Sequence, residues 1–258
     1  MLSRRLIVCL DVARGKVVKG VQFESLRPIG DPAELASRYE IEGADEIVFL
    51  NISASAEDQA SLVDSVSRTA DALFIPLTVG GGINSVGDVG RMLHAGADKV
   101  SINTAAVTDP TLLTDAAMRY GSQCIVASID ARKEQTGWRV YTRGGRTRTN
   151  LDAVEWASTC AALGAGEILL TSIDRDGTRN GYDIELTRMV AESVSVPVIA
   201  SGGGGGSSHV VMVLTAGRAD AALVAGVLHD GSCTVPELKT AMQQNGIRVR
   251  EGAWASAS

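Results

Sequence analysis

Aromatic residues are scarce. Phe, Trp and Tyr make up 4% of the chain, although its hydrophobic fraction is 45% and it holds 28 glycines. A core of Ala, Val, Ile and Leu with that much glycine favours helices packed closely on strands. Histidine is rarer still: His94, His209 and His229 are the only three, which does not support a histidine-rich metal site. No metal and no cofactor is expected. Cys9, Cys124, Cys160 and Cys233 are scattered without metal-ligand spacing and read as reduced thiols of a cytoplasmic protein. There is no basic excess either, since 24 Lys and Arg stand against 30 Asp and Glu, so no nucleic-acid surface is indicated. No apolar run reaches the roughly 18 residues of a membrane span. The opening Met1-Leu2-Ser3-Arg4-Arg5 lacks a signal-peptide plan.

What the chain does have is a stretch that occurs twice. Ile75-Pro-Leu-Thr-Val-Gly-Gly-Gly82 and Val196-Pro-Val-Ile-Ala-Ser-Gly-Gly203 are each a proline, a short apolar run and terminal glycines, with Pro76 and Pro197 121 residues apart. Such a run suits a strand covered on both faces. Glycines at its end let backbone N–H groups approach an anion. Gly43-Ala-Asp-Glu-Ile-Val48 matches Gly164-Ala-Gly-Glu-Ile-Leu169, and Ala95-Gly-Ala-Asp98 matches Ala216-Gly-Arg-Ala-Asp220 with one insertion. Leu10-Asp-Val12 matches Ile129-Asp-Ala131. Two halves of one plan are expected, about 1–122 and 123–250, with a frayed tail at 251–258.

Strands are expected at 6–11, 46–51, 75–80, 99–103, 124–130, 167–172, 196–201 and 221–225. Helices follow them, capped at Asp31-Pro32, Ser85, Asp109-Pro110 and Asp183. Residues 12–30 read as a long loop, and 138–145 as a hairpin inserted after the fifth strand. Eight strand–helix units in 258 residues predict a single (β/α)₈ barrel. An open doubly wound sheet is the rival, and the two-fold repeat favours the ring.

On a barrel, Asp11 and Asp130 end equivalent strands across the mouth. Two facing carboxylates there can work as general acid and general base. Capping or loop bonding is the bland alternative for either one alone. Gly82 with Asn103 and Thr104 forms one candidate phosphate cradle, and Gly203 with Ala225 and Gly226 its symmetry mate. Together they imply a ligand with a phosphate at each end. Arg5, Glu46, Lys99 and Glu167 open four strands at the opposite face. They read either as a salt-bridge plug or as a gate, and burial requires them to pair.

Cys9-Leu-Asp-Val12, Val17-Val-Lys-Gly20, Val79-Gly-Gly-Gly82, Asp98-Lys-Val-Ser-Ile-Asn-Thr-Ala105, Gly121-Ser-Gln123 and Thr171-Ser-Ile-Asp-Arg-Asp-Gly-Thr178 resemble the cyclase subunits of imidazole glycerol phosphate synthase. A sister isomerase barrel and a non-catalytic phosphate-binding barrel are the alternatives. The resemblance implies an ammonia-dependent cyclisation of a bisphosphate, phosphoribulosyl formimino aminoimidazole carboxamide ribonucleotide, with Asp11 and Asp130 as the acid–base pair. It places Lys19 on a mobile loop that closes on substrate, and Asp176 and Gly177 among the substrate-binding residues. It makes the four-charge ring a gate for ammonia from a glutaminase docked on the N-terminal face. The chain departs from the resemblance at Asn51, where Asp is usual, at Ser25, where Asn is usual, and at Gly226, where Ser is usual. The run Gly202 to Gly206 is also richer in glycine than usual and is expected to be floppier.

Overall fold

The computed structural model describes residues 3–21, 24–52 and 56–250, with side chains at all of these except 19–21, 24–26 and 56–60. The strands are β1 (Arg5–Ala13), β2 (Lys16–Val21), β3 (Glu24–Gly30), β4 (Glu46–Asn51), β5 (Leu77–Gly80), β6 (Lys99–Ile102), β7 (Ile125–Glu134), β8 (Gly137–Thr142), β9 (Thr147–Asp152), β10 (Glu167–Ser172), β11 (Val198–Ser201) and β12 (Ala221–Val224). The helices are α1 (Pro32–Ile41), α2 (Ala56–Ala70), α3 (Val86–His94), α4 (Thr104–Thr108), α5 (Thr111–Tyr120), α6 (Ala153–Ala162), α7 (Ile184–Ser193), α8 (Ser207–Thr215), α9 (Gly226–His229) and α10 (Val235–Gln244). The tail expected to fray lies outside the described residues. Among them, no helix is long and apolar enough to cross a membrane.

Eight strands run parallel in the order β10-β11-β12-β1-β4-β5-β6-β7, and β7 pairs with β10 from Val126↔Glu167 to Ala131↔Ser172. The ring therefore has no open edge, as the barrel reading requires and the open sheet forbids. Period-two alternation divides the strand residues between two cores. Ile7, Cys9, Val48, Val126, Leu169, Ile199, Ala221 and Leu223 fill the barrel interior. Leu6, Val8, Leu10, Ile47, Phe49 and their counterparts face the helices.

The repeated Asp of the Ala-Asp motif has a structural job. Asp45, Asp98 and Asp220 each precede a strand and accept a hydrogen bond from the backbone N–H of Leu6, Leu77 and Val198, at 2.8, 2.8 and 3.0 Å. Each carboxylate thus ties the start of one strand to the start of its neighbour. Gly166 occupies the fourth such position because a Cβ there would stand 2.2 Å from the Ser122 carbonyl oxygen.

Helix starts follow their caps. Asp31, Ser85 and Asp183 accept from Ala33, Asp88 and Leu186 N–H groups, and Thr234 and Glu237 form a reciprocal capping box on α10. Two expectations need correcting. Residues 12–30 are not a plain loop: β1 continues to Ala13, turns at Arg14 and Gly15 (φ 50 and 68), and pairs antiparallel with β2, which pairs with β3. Two consecutive positive φ angles suit the twist of a tight hairpin, so the glycine marked a turn between strands. The second half does the same with β7, β8 and β9. The helix expected from Asp109-Pro110 begins at Thr111, after the separate short α4; α9, in the corresponding place after β12, was not expected at all.

Candidate active site

The expected mouth residues stand together at the C-terminal ends of the barrel strands. Asp11 on β1 and Asp130 on β7 follow the inward-facing Cys9 and Val126 in phase. Cys9 Sγ lies 4.0 Å from Asp11 Oδ1. Asn103 Nδ2 donates to Asp130 Oδ2 at 2.9 Å, so Asn103 orients a carboxylate as well as bordering a glycine cradle. Burial pushes the Asp11 carboxyl up to about 7, and the negative charge of Asp176 adds to it. Burial likewise raises Asp130 to about 6; the Asn103 bond opposes the rise and Asp176 adds to it. Asp176, on the loop after β10, is itself raised by loss of water, against an N–H from Gly177. Asp11 and Asp130 thus carry or release protons near neutral pH.

Two glycine pairs flank the carboxylates. Gly81 and Gly82 have φ 91 and 74, and Gly202 and Gly203 have φ 88 and 96. A Cβ at Gly81 would stand 2.1 Å from Asn51 O, and one at Gly202 2.7 Å from Ser172 O. Both turns therefore press the chain against the end of the neighbouring strand, where no side chain fits. Asn103 and Ala225 occupy matching positions, with φ/ψ of −118/−92 and −137/−81, before α4 and α9. Thr104 Oγ1 accepts from Arg143 N at 3.0 Å, bringing the β8–β9 turn over the first cradle.

At the opposite face the four charges close on one another. Arg5 pairs with Glu46 at 2.9 Å and with Glu167, and Lys99 with the same two carboxylates at 2.9 and 2.8 Å. Glu46 is 1% and Glu167 5% exposed. Burial works against the charge of Arg5, but Glu167 and then Glu46 outweigh it and hold its pKa above the ordinary value. Thr78 Oγ1 donates to Glu46 Oε1 at 2.6 Å from β5.

Residues 5–234 match the profile of the family described as histidine biosynthesis protein. The imidazole glycerol phosphate synthase subunit HisF of Myxococcus xanthus (strain DK1622) is 64% identical over 250 residues, covering 97% of this chain and 99% of that one. The chain belongs to the histidine biosynthesis protein family, as a cyclase subunit of imidazole glycerol phosphate synthase. That relationship sets the sister isomerase and the non-catalytic barrel aside.

In this cyclase the departures noted in the sequence have specific settings. The side chains of Lys19 and Ser25 lie outside the described residues. Asn51 is buried and falls in the outward phase of β4 with Ile47 and Phe49, pairing in register with Val12 rather than with Asp11. It is thus out of phase with the carboxylates. Within the glycine run, Cβ atoms at Gly203, Gly204 and Gly205 would meet Gly181 O, Tyr182 Oη and Arg179 O at 2.2, 2.6 and 2.1 Å, whereas one at Gly206 would meet nothing within 4 Å. Sequence reasoning missed Arg179, whose guanidinium pairs with Asp230 beside Gly226. Its only signal was a cation in a loop already singled out.

Proposed function

We propose that this cyclase subunit condenses ammonia with phosphoribulosyl formimino aminoimidazole carboxamide ribonucleotide at the barrel mouth, releasing imidazole glycerol phosphate, aminoimidazole carboxamide ribonucleotide and one water. One observation carries the reading: two shielded carboxylates face the mouth from β1 and β7 with pKa values of about 7 and about 6. Near neutral pH Asp11 is the better proton donor and Asp130 the better acceptor. Ring closure needs both, since ammonia must lose protons as it becomes a ring nitrogen and the departing groups must gain them.

The substrate's two phosphates sit at Gly82, Asn103 and Thr104 and at Gly177, Gly203, Ala225 and Gly226, with Lys19 and Asp176 closing on the body between them. The paired glycine turns support this, because backbone N–H groups bind phosphate where no Cβ intervenes. The halves 1–122 and 123–250 act as two arms of one domain, each giving one carboxylate and one cradle.

Ammonia enters through Arg5, Glu46, Lys99 and Glu167. Each cation bridges both carboxylates, so withdrawing one cation leaves the glutamates with a remaining partner. That makes a gate less costly than breaking an isolated buried pair. A glutaminase subunit docks on this N-terminal face, where Ile41 and Phe74 are 74% and 94% exposed and neighbour each other through the Phe74 N–H bond to Glu40. The four free cysteines suit the cytoplasm. The test is steady-state turnover with ammonium salt and the bisphosphate. Asp11→Asn and Asp130→Asn should each lower kcat by at least about 10²-fold; near-wild-type kcat in either variant rejects the assignment.

A further inference from the structure

The second cradle holds features that the cyclase reading leaves unused. In the first half Gly82 is followed by Ile83, Asn84 and Ser85, and Ser85 caps α3. In the second half the same three places are Gly204, Gly205 and Gly206, and α8 has no side-chain cap. An approaching anion does not need these extra glycines. The loop after β10 needs two of them, Gly204 and Gly205, whereas a Cβ at Gly206 would meet nothing within 4 Å. Gly181 N donates to Gly203 O at 2.8 Å, and a Cβ at Gly205 would stand 2.1 Å from Arg179 O. The loop therefore lies directly on the run, with Arg179 in a left-handed backbone conformation at φ 58.

From that seat the guanidinium reaches the cradle. Arg179 Nη2 lies 3.5 Å from Gly226 O and pairs with Asp230, the residue that follows α9. A Cβ at Gly226 would stand 3.6 Å from the same Nη2, so a longer side chain there would share the guanidinium's space. The side chains of Arg179 and Asp230 are 44% and 29% exposed. A ligand can reach the guanidinium, and an exposed pair of this kind costs little to exchange.

We infer that Arg179 is a phosphate ligand of the second cradle, parked on Asp230 until the substrate's phosphate takes the carboxylate's place. A guanidinium is suited to the exchange, since its forked N–H donors fit carboxylate and phosphate alike. Gly205 then serves to seat this arginine, because any side chain there would meet the Arg179 carbonyl. The inference rests on the two-phosphate reading above.

The test uses the full chain, with ammonium salt and the bisphosphate. Arg179→Gln should raise KM about tenfold, the scale of a lost charged hydrogen bond, with kcat within about twofold. Arg179→Lys should recover part of the loss. Asp230→Asn, which frees the guanidinium, should leave KM equal to or below the wild-type value. If Arg179 only clasps the loop to α9, both Arg179→Gln and Asp230→Asn will raise KM and lower the melting temperature together; that result overturns the inference. So does an unchanged KM in Arg179→Gln while Gly226→Ser or Thr104→Ala shifts KM, a pattern that leaves the two cradles standing. If none of these variants shifts KM, the two-phosphate reading fails, and the inference with it.

Discussion

Neutralising Asp176 should slide the pH profile of ammonia-dependent turnover toward acid. Asp11 stands at about 7 and Asp130 at about 6, against an ordinary 3.8. Burial is the first cause for both, and the charge of Asp176 is a further one for both. A like charge disfavours ionisation, so removing it lowers both pKa values. Asp176→Asn leaves the burial in place, and most of each displacement should therefore persist. Asp176 also lies on an exposed loop, where salt screens its field. We expect each limb to fall by about 0.5 pH unit at physiological ionic strength and by about 1 pH unit at low salt, the latter worth about 1.4 kcal/mol. The acidic limb reports the base, Asp130, losing its proton, and the alkaline limb reports the acid, Asp11, losing its own. Both should move in the same direction. The assay is kcat/KM from about pH 5 to about pH 9 with free ammonia held constant. Limbs that stay put at low salt, or that rise, refute the argument.

Asp11→Asn should stabilise the fold in alkali. A carboxyl whose pKa is raised by folding contributes stability that is fully present below 3.8 and is lost as the pH rises through about 7. The amide has no such loss, so the variant's melting temperature should exceed the wild type's at about pH 8 and the gain should vanish toward about pH 4; a gain independent of pH rejects the burial argument. Lys239 is 1% exposed and holds Asp45 Oδ1 at 2.6 Å, while Asp45 Oδ2 binds the Leu6 N–H. Lys239→Met strands that carboxylate and should cost about 3–5 kcal/mol in urea unfolding, with Asp45→Asn recovering part in the double variant; a loss under about 1 kcal/mol would mean the pair is dispensable. Asn51→Asp should leave kcat and both limbs unmoved, because residue 51 shares the outward phase of β4; a raised alkaline limb would show that its side chain reaches Asp11.

Much of the architecture was legible in the chain because its signals are local. A buried strand declares itself within a few residues, as in Ile75–Gly82, and a cap within three or four, as at Asp31, Ser85 and Asp183. The repeat added the one long-range fact, that two halves share a plan, and so the equivalent strand ends that carry Asp11 and Asp130 could be named. The hairpin of β2 and β3 was missed because Gly15 and the lysines around it signal a loop as well as a turn between strands. Tertiary structure decided what depends on partners far along the chain. Closure of β7 on β10 sets Glu167 beside both Arg5 and Lys99 and turns four scattered charges into one ring. Closure also brings Asp176 within reach of Asp11 and Asp130, and a pKa is a property of that assembled surrounding, not of a residue and its neighbours in sequence. Arg179 belongs here too: it meets Asp230 only because three-dimensional packing lays a loop across a run of glycines.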